Sequence, residues 1–311
     1  MKEYFRIIRE LIILSRPEWG FIFAGIAYML SLFYVLPLIS LVVAWLSIYA
    51  FACGHFSLNG FFDKDSDAVN PRSFSLRNPL VSSDLLSPQI IYIWVAILWF
   101  SVIPLNLFFI PESLTFPKLP LAFGSYFLAV GGSIGYSVPP LRFKARPYID
   151  LIVTVLIIGV FIPFYIGLLG LDTIVATELL FYGIILCLLL VAGIHLPTIL
   201  TDLEVDQENG EITTAVFLGW KKASYFTSTI ICVRVAGFTL INLILMNKGI
   251  LIPNIIPFSL GAIELILACN LARRKNRDAA LLLWKSVIIT SIAGGILFGL
   301  LYTPKYAIIA K

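Results

Sequence analysis

Nine runs of this chain are long and apolar enough to cross a lipid bilayer as helices, and a chain divided this way has few folds open to it. They lie near residues 19–35, 37–57, 89–110, 119–137, 149–170, 179–200, 223–246, 251–271 and 282–302. A spanning helix needs about 20 predominantly apolar residues. Charge is correspondingly scarce: 13% of the residues are Asp, Glu, Lys or Arg, where a soluble domain carries about 25%. The expected fold class is all-α, a single polytopic membrane domain over residues 1–311. The start of the chain differs in kind. Met1 to Arg16 is charged and amphipathic, with no small-residue cleavage site before the first run. Residues 1–18 therefore read as a helix lying in the membrane interface, and no signal peptide is expected.

The basic residues orient the runs, because cytoplasmic segments of membrane proteins are enriched in Lys and Arg. With the N-terminus inside, 16 of the 22 Lys and Arg fall on inner segments and four, Lys118, Lys248, Lys305 and Lys311, on outer ones. Arg234 and Lys285 fall within runs. This bias predicts nine spans in the cell (cytoplasmic) membrane, with the polar loops 58–88, 138–148 and 201–222 all on the cytoplasmic side. The lipid bilayer is the expected partner and nucleic acid is not. Four cysteines, Cys53, Cys187, Cys232 and Cys269, sit in or beside apolar runs without metal-ligand spacing and are expected to pack.

Two of the three inner loops carry the same acidic pattern. Asn59, Asp63 and Asp67 are spaced four apart just past the second run, and Asp202 and Asp206 repeat the spacing past the sixth. On a helix, residues four apart share a face. Each motif thus gathers hard oxygen atoms of the kind Mg²⁺ prefers, or else forms a solvated acidic helix end. The remaining inner loop, Tyr136 to Pro147, holds two adjacent prolines and then Arg142, Lys144 and Arg146 at alternate positions. The prolines stop the helix, and the cations either neutralise a phosphate or supply ordinary inside charge.

Taken together, Asn59-x-x-x-Asp63-x-x-x-Asp67, Tyr136-Ser-x-Pro-Pro-x-x-x-Lys144 and Asp202-x-x-x-Asp206-x-x-x-Gly210 resemble the signatures of the UbiA superfamily of intramembrane prenyltransferases. The resemblance covers nearly the whole chain. It implies nine transmembrane helices around a central cavity, in which a prenyl group passes from a polyprenyl diphosphate donor to a hydrophobic or aromatic acceptor with Mg²⁺ as cofactor. Residue by residue, it implies that Asn59, Asp63 and Asp67 hold one Mg²⁺ and Asp202 and Asp206 another. Lys144 and Arg142, with Arg72 or Arg77, would grip the diphosphate, and Asn59 would also face substrate. Tyr136 and Ser137 would lie near the reacting carbon. Many members carry Asp after the first motif's Asn, where this chain has Gly60, and Lys before the second motif's first Asp, where it has Thr201. These departures blur the acceptor, which is either an aromatic or quinone precursor or an isoprenoid such as a carotenoid. Ser15-Arg16-Pro17, Asp150 and His195 ahead of the second motif resemble the carotenoid branch.

The chemistry is consistent with such a chamber. Diphosphate leaves only when its charge is neutralised, and the allylic cation left behind survives only where water is excluded. His195 either orients an acceptor, acts as a base, or is a packed core histidine. Arg234 and Glu264 pair with each other or face a cavity. Glu204 is a candidate supporting acid, while Asp65 and Glu208 are expected to be solvated. The competing class is a multi-pass transporter, whose acids would bind ions near the bilayer midplane; here they sit at the inner ends of runs.

Overall fold

The structure, a computed structural model, describes residues 2–20, 23–24, 38–69, 78–109, 118–170, 175–247 and 255–309. Among these, every regular element is helical. The chain opens with α1 (Lys2–Leu14), which buries Leu11 and Leu14 and leaves Tyr4, Phe5, Ile8 and Ile12 exposed. At its end Ser15 is an anchor: its hydroxyl donates to the Leu11 carbonyl at 2.8 Å, lies 3.0 Å from the Ser57 hydroxyl and accepts from the Trp94 indole at 2.8 Å.

Ser57 belongs to α2 (Leu38–Phe62), which continues after a one-residue break into the short α3 (Lys64–Val69). A single turn, α4 (Pro79–Ser82), is capped by Asn78. Next come α5 (Pro88–Phe100) and α6 (Val102–Phe109). They divide at Ser101, where Pro104 removes the N–H that would have bonded to the Phe100 carbonyl. α7 (Lys118–Ser137) follows. α8 (Ile149–Leu156) and α9 (Ile162–Gly170) are joined by a π-helical turn, Ile157–Phe161. Pro163 lacks an N–H, and a widened turn is one way a helix absorbs that loss. Four long helices complete the chain: α10 (Val175–Glu208), α11 (Thr214–Asn247), α12 (Ile255–Arg274) and α13 (Arg277–Ile309).

The core falls into two clusters, one drawn from Leu11 to Ile166 and the other from Leu196 to Val287. In the first, α2 packs on α5, α6 and α7; in the second, α10 packs on α11 and α13. The π turn against α10 and the Trp19–Trp284 ring contact at 6.2 Å join the two halves. Large apolar side chains such as Phe108, Ile266 and Ile289 point outward and are well exposed, a surface suited to lipid and unusual in a soluble protein.

Five described helical segments are long and apolar enough to cross a membrane: Leu38–Phe62, Pro88–Phe109, Leu119–Ser137, Ile149–Leu168 and Thr214–Leu240. They fall on five of the nine expected runs. The runs at 179–200, 251–271 and 282–302 fall on α10, α12 and α13, while 19–35 lies outside the described residues except at 19–20 and 23–24. Loop 201–222 is corrected. Helix α10 runs on through Asp202 and Asp206 to Glu208, and α11 starts at Thr214, so the connection shrinks to residues 209–213. Loop 58–88 likewise holds the last turn of α2, α3 and α4, with 70–77 outside the described residues. In both places the helix continues past the apolar run into polar sequence, where hydropathy gives no signal of where it stops.

Arg234 and Glu264, each 3% exposed, pair at 3.1 Å between α11 and α12. Ser291 accepts from Arg234 at 2.8 Å, and the Thr290 hydroxyl donates to Glu264. Gly193 makes room for the pair, since a Cβ there would stand 2.5 Å from the Arg234 side chain. The two charges therefore neutralise each other and do not face the cavity described below.

Two outcomes are expected from thermal unfolding of detergent-purified protein. Gly54 lies under the Trp99 indole, which donates to the Phe51 carbonyl at 3.1 Å, and a Cβ would come 2.5 Å from its nitrogen. Gly54→Ala should cost about 1–3 kcal/mol. Glu264→Ala should cost roughly 3–5 kcal/mol by stranding Arg234, and the apolar double variant Arg234→Met/Glu264→Leu should recover most of it. Equal losses in the single and double variants would contradict this account.

Candidate active site

The acidic face expected of the first motif forms because the helical hydrogen bonding survives the break between α2 and α3. Asp63 N–H donates to the Asn59 carbonyl at 2.9 Å and Asp67 N–H to the Asp63 carbonyl at 2.7 Å. Asn59 Nδ2 donates to Asp63 Oδ2 at 2.7 Å, and Ser137 donates to Asn59 Oδ1 at 3.2 Å. Asp67 is held from two sides, by Arg16 at 3.3 Å and by Asn78 Nδ2 at 2.8 Å. Asn78 also donates to the Gly60 carbonyl at 2.8 Å, which ties the Gly60 backbone to the next segment. Arg16 is thus drawn to an acid of the first motif.

The second motif ends in a Schellman turn. Gly210 adopts φ +71°, its N–H donates to the Gln207 carbonyl at 3.2 Å, and Glu211 N–H donates to the Asp206 carbonyl at 2.8 Å. A positive φ suits glycine because it has no Cβ. The turn sends the chain back, and Glu211 meets the basic loop. Its carboxylate pairs closely with Arg142 and lies 3.5 Å from Lys144 Nζ. Lys144, which sits on the 3₁₀ turn Phe143–Ala145 and is only 9% exposed, pairs closely with Asp63 as well. Arg142 reaches Asp63 at 3.8 Å. A single buried lysine therefore touches an acid from each half of the chain, and α10 packs directly on α3.

Burial and charge shape the acids. Burial above all, then the neighbouring Asp202 and Glu211 carboxylates, push the Asp206 carboxyl up to about 8, although Lys144 and Thr213 work the other way. Burial also raises Asp67, against Arg16 and Asn78. Burial pushes Glu211 upward too, but Lys144 and Arg142 outweigh it and leave that carboxyl lowered. Five acids, Asp63, Asp67, Asp202, Asp206 and Glu211, thus share three cations, Arg16, Arg142 and Lys144. Among the described residues no three His, Cys, Asp or Glu side chains already converge on one point. The donor set is nevertheless all hard oxygen with surplus negative charge, and it fits a divalent cation such as Mg²⁺.

A small, mainly apolar cavity is lined by Phe23, Phe51, Phe56, Tyr136, Thr154 and Ile158 among others. It borders the π turn, and its wall residue Tyr136 precedes Ser137 in the chain. Of the expected site residues, Asn59, Asp63, Asp67, Ser137, Arg142 and Lys144 are brought into one network, Asp206 lies within its field, and Tyr136 lines the cavity. Asp202 lies close enough to Asp206 to raise its carboxyl. Arg72 and Arg77 lie outside the described residues. His195 is not among the lining residues; it feels the Asp150 charge, and its Nε2 has no hydrogen-bond partner among the described residues. Glu204, expected to support the site, is exposed, as are Asp65, Arg146 and Glu208.

Sequence reasoning missed Glu211, Asn78 and the Asp150–Thr214 clasp. Glu211 was legible in principle, because a helix that ends on glycine turns back on itself. The clasp was not, since Thr214 is 64 residues from Asp150. Asp150 is fully buried and accepts from Thr214 N–H at 2.9 Å, from the Thr214 hydroxyl and from Leu151 N–H at 2.7 Å. It thereby pins the start of α11, just past Glu211, to the end of the basic loop.

A sequence model described as the UbiA prenyltransferase family matches residues 19–292. The chain is 30% identical over 183 residues to a lycopene elongase/hydratase of Haloarcula japonica; that stretch is 59% of this chain and 55% of the relative, so the match spans about half the length of that protein. A UbiA homolog from Archaeoglobus fulgidus bound to GPP and Mg²⁺ superposes with a TM-score of 0.63 at 18% identity, covering 94% of this chain and 99% of that one. An apo UbiA homolog from Aeropyrum pernix K1 gives 0.63 at 18% identity, covering 91% and 96%.

Asp150→Asn should turn one acceptor oxygen of the clasp into a donor facing other donors. The expected loss is about 1.5–3 kcal/mol, with faster amide exchange at residues 209–214. Unchanged exchange there would show that the clasp does not hold the loop.

Proposed function

The chain belongs to the UbiA prenyltransferase family, and from that premise we propose that it transfers a prenyl group from a polyprenyl diphosphate to a hydrophobic acceptor within the membrane. The observation that carries this reading is Lys144, buried and in contact with both Asp63 and Glu211. That contact brings the acidic ends of α2 and α10 to one cationic centre, at the mouth of an aromatic cavity. Asn59, Asp63 and Asp67 would hold one Mg²⁺ and Asp202 and Asp206 a second, and their chemistry would be to neutralise the diphosphate so that it leaves. Lys144 and Arg142 then release Glu211 and Asp63 to bind phosphate oxygens, with Arg72 or Arg77 as further cations. Arg offers a planar fork for this and Lys a point charge.

Below that clamp the cavity takes the allylic end of the donor. Its aromatic walls, Phe23, Phe51, Phe56 and Tyr136, present π faces to developing positive charge and keep out water that would quench it. The acceptor is an isoprenoid such as a carotenoid, a choice supported by the lycopene elongase/hydratase relative and by the scarcity of polar groups in the cavity to bind an aromatic acid. The same reading includes nine membrane spans, with α1 in the interface and the acid and basic loops on the cytoplasmic side of the cell membrane.

Asp63→Ala and Asp202→Ala should each abolish Mg²⁺-dependent diphosphate release from a labelled prenyl donor at normal expression, a loss of at least about 100-fold. Full activity in either variant would remove the metal assignment. Lipid extracts of cells with and without the protein, compared by mass spectrometry, should differ by one prenylated product, and the mass difference identifies the donor length.

A further inference from the structure

One polar atom near the site is not used by the reaction just outlined. His55 lies on α2 one turn deeper than Asn59, on the face that continues to Asp63. It lines the cavity. Its ring stacks with Phe51 at 6.5 Å, meets Phe56 edge-on at 5.4 Å and stands 5.7 Å from Tyr136. Nδ1 is sealed from solvent and has no hydrogen-bond partner among the described residues. Buried polar atoms are nearly always paired, so one left unpaired on a side chain that lines a cavity calls for a reason. Thr154, another polar side chain on the wall, donates to the Asp150 carbonyl at 2.8 Å. That leaves Nδ1 as the lining nitrogen with an unused lone pair.

We propose that His55 Nδ1 is the base that ends the transfer, taking the proton lost by the carbocation in the cavity. This rests on the prenyltransferase reading and goes a step further. Ionisation breaks the donor's allylic C–O bond, and the electron pair leaves with the diphosphate. The acceptor's C=C pair forms the new C–C bond and leaves a cation on the acceptor. A proton on the neighbouring carbon passes to the Nδ1 lone pair of the Nε2–H tautomer. The C–H electrons become a C=C bond, and His55 becomes an imidazolium that returns its proton to water as product leaves. Without an acceptor, the donor's own allylic cation loses a proton by the same route to give a hydrocarbon, or takes up water to give an alcohol. His55 is thus a catalytic residue that decides between proton loss and hydration, and a histidine acting only in packing would not change that choice.

The test uses the full-length protein in liposomes with Mg²⁺ and GPP alone, comparing wild type, His55→Phe and His55→Gln. Diphosphate, acyclic hydrocarbon and alcohol are quantified together. In both variants the hydrocarbon-to-alcohol ratio should fall about 100-fold, within the usual range for loss of a general base. A second arm with DMAPP and lycopene reads the same partition between elongated alkene and hydrated product. His55→Gln keeps a planar polar group, so its elution profile separates a folding defect in His55→Phe from loss of the base. A wild-type ratio in well-folded His55→Gln would overturn the proposal, as would alcohol being the sole wild-type product. No diphosphate release by wild type would instead overturn the prenyltransferase reading on which the proposal rests.

Discussion

The contact between Lys144 and Asp63 is the interaction on which the site depends. Lys144 comes from the loop after α7, Asp63 from the end of α2, and Glu211 from the turn after α10. Without the cation, five carboxylates would stand close together with two arginines to balance them. The field of the remaining acids already raises Asp206, and losing Lys144 would raise it further. The lysine therefore holds like charges close together, and in the proposed reaction a diphosphate would take over the contacts that Asp63 and Glu211 make now.

The same economy of charge recurs away from the site. Arg234 and Glu264 are sealed between α11 and α12 with a hydroxyl bonded to each, and Gly193 clears space for the guanidinium. Asp150 is fully buried but accepts three hydrogen bonds. An unpaired charge away from water is expensive, and each buried charge here has a specific partner. Among the unpaired buried polar atoms of the described residues, His55 Nδ1 belongs to a side chain that lines the cavity.

Packing supplies the positions from which these groups act. Gly54 lets Trp99 cross α2, and Trp99 in turn accepts from the Tyr126 hydroxyl at 3.1 Å. The π turn opposite α2 widens the helix beside the cavity. Asn106 and Tyr165, both fully buried and bonded to each other at 2.9 Å, lock α6 to α9 below it. The cavity is thus walled by rigid helices on every described side.

The sequence by itself determined the all-helical, apolar architecture and the shared face of the first motif, because apolar length and a four-residue spacing are local properties of the chain. Asn59, Asp63 and Asp67 share a face for the same reason that any helix repeats every 3.6 residues. It did not reveal where α10 ends, since a helix leaving the membrane keeps its hydrogen bonds after its hydropathy has changed. Nor did it reveal that Arg16 holds Asp67, that Asp150 clasps Thr214, that Glu211 joins Lys144, or that His195 lies off the cavity while His55 lines it. Those facts depend on which helix faces which, and only the packing of side chains far apart in the chain decides that.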